Sequence, residues 1–130
     1  MTRTFKRDYT SKKIKLERKE IIYLVPVMVY LDSMPNDKVL YRYLFPENAE
    51  IASFMINFEG LKDKMEIIAD LKVEGGGEYI DFEVSDGVNK LLESKGIASG
   101  TTVKLSVPDY DESTHGNPQI WISYLYKVLG

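Results

Sequence analysis

Apolar and polar side chains alternate with period two over most of the chain. Ile67, Ala69, Leu71 and Val73 fall on one side of an extended segment, and Glu66, Asp70 and Lys72 fall mostly on the other. Successive side chains of a strand point to opposite faces, so this pattern predicts a strand with one dry and one wet face. The same reasoning turns Ile80, Phe82 and Val84 inward and Tyr79, Asp81 and Glu83 outward, and it turns Val103, Leu105 and Val107 inward and Thr102, Lys104 and Ser106 outward. In the final segment Ile120, Ile122, Tyr124, Tyr126 and Val128 alternate with Trp121, Ser123, Leu125 and Lys127. Its aromatic and β-branched content predicts a strand at the centre of a sheet. Val39 to Phe45 and Ile51 to Phe58 are also strand-like, with Phe54, Ile56 and Phe58 on one face.

Turn chemistry separates these runs at Pro35-Asn36-Asp37, Pro46-Glu47-Asn48, Glu59-Gly60, Gly75-Gly76-Gly77, Ser99-Gly100 and His115-Gly116-Asn117-Pro118. Such residues supply positive φ, fixed φ or side-chain bonds to the backbone. Turn signals about eight to twelve residues apart are the spacing of a sandwich or jelly roll. One short helix is expected at Gly87 to Ser94. The fold class is therefore all-β: an antiparallel, jelly-roll-like β-sandwich of seven or eight strands.

The segment Ile22 to Leu31 breaks the alternation. Val25, Val27 and Val29 lie on one face and Leu24, Met28 and Tyr30 on the other, so both faces call for cover. Either a loop or a second subunit can supply it. Pro26 cannot donate to a ladder, which points to an edge strand or a bulge, and an apolar edge strand is a hazard unless a partner covers it. The run Ile21 to Leu31 follows a basic stretch as a signal-peptide core would, but Asp32-Ser33-Met34-Pro35 offers no cleavage site. Eleven residues with a central proline also fall short of the roughly 20 that cross a bilayer as a helix. No membrane segment is expected.

Length and charge refine this picture. A chain of 130 residues supports one domain with its own core. Residues 1–20 hold eight Lys/Arg against three Asp/Glu, a net +5; subtracting them from the totals leaves nine basic and 17 acidic residues in 21–130, a net −8. The chain divides into a basic N-terminal arm, 1–20, and a sandwich domain, 21–130. The acidic body argues against a broad nucleic-acid surface. Within the arm, Ile14 and Leu16 alternate among charges as a strand laid on a neighbour's sheet edge would. Arg3, Lys6, Arg7, Lys12, Lys13 and Lys15 are expected to lie against other protein surfaces.

Candidate chemistry is sparse. There is no cysteine and a single histidine, so thiolate nucleophiles, Cys-based zinc sites and imidazole clusters are excluded. Asp109-Tyr110-Asp111-Glu112 and the pair Glu47 and Glu50 are loop neighbours without the facing geometry of acid–base catalysis. Asp109, Asp111 and Glu112 lack the spacing and glycine of a calcium loop. His115 reads as a turn residue, since no framed serine accompanies it. Gly75-Gly76-Gly77 continues into a strand and reads as a hairpin rather than a phosphate loop. Catalytic residues, cofactor and metal are all expected to be none. The aromatics that remain, Trp121, Tyr110, Tyr124 and Tyr126, could stack on sugar rings. Tyr124 and Tyr126 share the core face, whereas Trp121 lies beside Ser123 and Lys127 and is the candidate exposed aromatic.

Phe45-Pro46-Glu47-Asn48-Ala49-Glu50-Ile51, Asp86-Gly87-Val88-Asn89, Gly100-Thr101-Thr102-Val103-Lys104-Leu105-Ser106-Val107 and the closing aromatic strand resemble, as a style of sequence, the small β-sandwich modules of bacteriophage virions. The likeness covers about residues 40–128 and extends to head-decoration, head-fibre and tail-fibre or baseplate attachment proteins. It implies a non-enzymatic structural protein in the virion, commonly a trimer, assembled in the host cytoplasm and attached to other virion proteins. Leu24, Met28, Tyr30 and Trp121 are the expected interface. The alternative is a carbohydrate-binding sandwich module, which requires Trp121 or Tyr110 exposed beside carboxylates.

Overall fold

The computed structural model describes residues 24–73 and 76–129. The predicted basic arm lies outside the described residues. Among the described residues eight strands run in the order β1 (Val25–Leu31), β2 (Val39–Phe45), β3 (Ala49–Glu59), β4 (Met65–Val73), β5 (Gly76–Val84), β6 (Gly87–Ile97), β7 (Thr101–Ser106) and β8 (Gln119–Val128), with one helical turn, α1 (Glu112–His115), before the last. They form two antiparallel four-stranded sheets, β1-β8-β3-β6 and β2-β7-β4-β5. The first strand pairs with the eighth, the second with the seventh, the third with the sixth and the fourth with the fifth. A long antiparallel ladder rolled into two layers has this connectivity, which is that of a jelly roll.

The core lies between the sheets and comes from the inward half of each alternation. Ile67, Leu71, Val103, Leu105, Ile120 and Ile122 are essentially inaccessible, as are Phe45, Phe54 and Phe58. Burying such a side chain is worth roughly 1.5–3 kcal/mol, the main return for ordering the chain. As its composition predicts, β8 is central, between β1 and β3. β1 is an edge strand, which accommodates Pro26.

In β3 the inward set changes parity, from Ala49 and Ile51 to Phe54, Ile56 and Phe58. Ser53 adopts φ of 52°, and the register to both neighbours shifts nearby. A bulge adds one residue, so both halves of this eleven-residue strand present apolar side chains to the core.

The helix expected at Gly87 to Ser94 is not formed; the segment belongs to β6. Asn-Lys-Leu-Leu-Glu-Ser has good helical propensity, but eight residues fall below the dozen or so that a helix needs without tertiary support. Pairing with the edge of β3 satisfies the backbone instead and buries Leu91 and Ile97. Asn89 fixes the entry: its side chain accepts from the Ser85 amide and donates to the Ser85 and Gly87 carbonyls. Asp86 ties that turn to the next, its Oδ1 accepting from the amides of Gly60 and Leu61.

Hydroxyl groups join the sheets as well. Tyr41 on β2 and Tyr124 on β8 meet hydroxyl to hydroxyl at 2.6 Å. Phe54 stacks on Tyr124 with centroids 4.8 Å apart, and Phe45 meets Tyr126 edge-on.

Candidate assembly surface

Four expected interface residues, Leu24, Met28, Tyr30 and Trp121, belong to the β1-β8 edge of the first sheet. Met28, Tyr30 and Trp121 lie on its outer face. Val27, Val29 and Leu31 face the core, so Met28 and Tyr30 point away from it; Met28 is 78% exposed and Tyr30 50%. Leu24, just before β1, is about half exposed. Trp121 is partly buried rather than an open platform, because the Tyr30 ring covers it at a centroid distance of 5.0 Å.

The registers extend this cluster into rows across the sheet. One row runs Tyr30, Trp121, Asn57, Val88; the next Met28, Ser123, Met55, Lys90; the third Pro26, Leu125, Ala52, Ser94. No charged residue stands in these rows on β1, β8 or β3, and Lys90 on β6 is the first. Charge returns at one end, where Lys127 approaches Glu50 at 3.7 Å. Within the strip a depression of about 370 Å³ is lined by Pro26, Met28, Ser53, Met55, Ser123 and Leu125. Met55 and Leu125 were not among the expected interface residues. Their signal in the sequence was the outward half of each alternation, readable only once the registers set those halves side by side.

The outer face of the second sheet differs. Its rows, Arg42, Lys104, Asp70, Tyr79, then Ser106, Ile68, Asp81, then Glu66, Glu83, all carry charge. Asp70, expected on a wet face, is buried, and its Oδ1 has no hydrogen-bond partner among the described residues. A cleft of about 480 Å³ lies beside this sheet, lined by Glu66, Asp81, Glu83 and Asp109 together with Lys64 and His115. A side-chain hydrogen bond with Asp109 holds the Glu66 carboxyl above its ordinary value, with the charge of Asp81 adding to the effect.

The remaining sequence candidates cluster in the β7-β8 loop. Asp111 caps α1, its carboxylate accepting from the Ser113 amide and hydroxyl and from the Thr114 hydroxyl. The Ser113 bonds come first among the causes that keep its carboxyl below the usual value. His115 is buried, and its Nδ1 accepts from the Asp111 amide at 3.0 Å, the role of a loop-fixing residue. The Tyr110 ring stacks on His115 and its hydroxyl donates to the Gly116 carbonyl, while the residue lines a cleft of about 330 Å³ with Lys38, Glu112 and Asn117. Burial, and then Glu112 and Asp111, raise its phenol.

Among the described residues no group of three or more His, Cys, Asp or Glu is placed to hold a metal ion, and no helix is long and apolar enough to cross a membrane. No family model matches the chain, and no curated protein matches it at a significant level.

Proposed function

We propose that this chain is a non-enzymatic structural protein of a bacteriophage virion, a capsid-associated decoration or head-fibre protein or a tail-attachment protein. It works by assembling, with itself and with larger virion subunits. The observation that carries this reading is the strip without charge that crosses β1, β8 and β3 on the outer face of the first sheet. A sheet in a two-layer domain ordinarily presents polar side chains to water, as the second sheet here does, and large exposed apolar strips mark contact surfaces. Jelly-roll connectivity supports the reading only at the level of fold, since capsid proteins, lectins and cupins share it. The basic segment 1–20 against the acidic remainder is the second contact element. The virion is the site of action.

Particles purified from a lysate of the source culture test this by mass spectrometry and immunogold labelling. The chain in stoichiometric amount on heads or tails is the expected result. Particles without it, with the chain free in the supernatant, overturn the reading.

One observation favours a second reading, a carbohydrate-binding module: Tyr110 lines a cleft beside Glu112 and Asn117. An aromatic side chain with neighbouring amide and carboxylate groups suits a sugar ring. Glycan-array binding abolished by Tyr110→Ala, together with absence from particles, selects this alternative.

A further inference from the structure

We propose that the occupant of the outer face of the β1-β8-β3-β6 sheet is a second copy of this chain, seated face to face about a twofold axis. The inference rests on the reading of that face as an assembly surface and names its partner. Three observations carry it.

The first is chemical. Across β1, β8 and β3 the rows offer Tyr30, Trp121, Asn57, Met28, Ser123, Met55, Pro26, Leu125 and Ala52, with no charge among them. A charged partner would lose its hydration there and gain no counter-charge. The same strip on another copy is matched in kind, and a patch that complements itself closes as an isologous pair.

The second is the shape of the edge. Among the described residues β1 has no neighbour on its outer edge, and Pro26, its second residue, has no N–H to offer a strand added there. Contact across the face remains open. Met28, the most exposed apolar side chain of the sheet, stands beside the depression formed with Met55, Ser123 and Leu125. A twofold axis along β8, crossing the central row at Ser123, sets each copy's Met28 over the other's Met55 at this depression, and methionine adapts to such a gap.

The third is area. Three strands about 4.8 Å apart and three rows about 6.7 Å apart give a footprint of about 300 Å² a side. A standard interface buries about 800 Å² a side, so the sheet contact alone makes a weak, concentration-dependent pair.

The test is sedimentation equilibrium of the full chain from about 1 μM to about 1 mM, the span in which a contact well below standard size dissociates. Wild type is compared with Met28→Lys and Leu125→Lys, and with Leu44→Lys as a control on the opposite sheet. The expected result is a rise from monomer to dimer mass, moved at least about tenfold to higher concentration by either face variant and unmoved by Leu44→Lys. Met28 is largely exposed, so Met28→Lys keeps the test decisive should Leu125→Lys fail to fold. Because the chain has no cysteine, Ser123→Cys adds a second readout: a short bismaleimide should crosslink it into dimers and leave Ser106→Cys monomeric. A monomer throughout, or a trimer as the limiting mass, overturns the twofold pair. An oligomer indifferent to both face variants also overturns it, yet leaves assembly through another surface standing, which the particle analysis decides separately.

Discussion

The hydroxyl pair between Tyr41 and Tyr124 makes an asymmetric prediction about what joins the two layers. Tyr124 is 3% exposed, whereas Tyr41 is partly buried, and their oxygens are 2.6 Å apart. Tyr124→Phe leaves unpartnered the hydroxyl of the more accessible side chain, Tyr41, so the loss expected is that of one net hydrogen bond, about 1 kcal/mol. Tyr41→Phe instead strands the Tyr124 hydroxyl inside the core, which costs about 1–3 kcal/mol. In the double Phe variant no buried polar atom is left behind, so adding Tyr124→Phe to Tyr41→Phe should restore stability rather than subtract from it. Urea unfolding resolves this: at a slope of about 1–3 kcal/mol per molar, 2 kcal/mol moves the midpoint by about 1 M. The expected order of midpoints is wild type and double variant highest, Tyr124→Phe between, Tyr41→Phe lowest. A double variant that loses the sum of the two single effects, or a Tyr41→Phe no worse than Tyr124→Phe, refutes the reasoning.

Burial raises the phenols of Tyr41, Tyr110, Tyr124 and Tyr126 above 10, for Tyr124 with the Tyr41 hydrogen bond adding to it. Their contribution to stability is therefore complete below pH 10 and is lost as pH rises through the folded values; urea midpoints should fall above pH 10, and tyrosinate absorbance of the native chain should show phenols titrating late. Gly116 holds φ of 78°, and a Cβ there would stand 3.2 Å from the Gly60 carbonyl oxygen. Gly116→Ala should cost about 1–3 kcal/mol, read as a lower thermal midpoint, with the Lys62 amide bond to the His115 carbonyl the contact disturbed. Glu66 is held above its ordinary value first by its bond with Asp109, so what it adds to stability is present below pH 4.5 and lost as pH rises through the folded value. Asp109→Asn should bring the Glu66 midpoint down in a carboxyl NMR titration, and an unmoved midpoint removes that bond as the cause.

Where local pattern and tertiary pairing agreed, the fold was legible in the sequence. The alternation in residues 67–71, 103–107 and 120–124 named buried positions correctly because one face of each strand meets the core and the other does not. Gly87 to Ser94 was misread for the converse reason: its local preference is helical, and only the free edge of β3 makes it a strand. The bulge at Ser53 was also invisible, since Ser carries no mark of positive φ and the parity change shows only against fixed neighbours. Asp70 alternates as a solvent-facing residue should, yet it is buried in a row with Lys104 and Tyr79, side chains brought beside it from β7 and β5. Of the interface candidates, Leu24, Met28 and Tyr30 followed from an edge strand apolar on both faces. Met55 and Leu125 needed the register.

The difference between the two outer faces follows from the same connectivity. In a rolled ladder the two sheets draw on alternate pairs of the same hairpin, so nothing in the topology makes one outer face drier than the other. Side-chain choice does that: β4, β5 and β7 spend their outward positions on Glu66, Asp70, Asp81, Glu83 and Lys104, whereas β1 and β8 spend theirs on Met28, Tyr30, Trp121 and Leu125. The core needs neither set, because its apolar area comes from the inward positions of all eight strands. Stability alone therefore gives no reason to keep Met28 and Tyr30 in water, where they contribute little to folding and invite association. Replacing Met28 with Lys should leave the unfolding free energy from urea titration within about 0.5 kcal/mol of wild type, the range for an exposed site. A face that can be made polar at no cost to folding has its apolar character for contact, and a large loss of stability on that substitution would instead make the strip part of the fold.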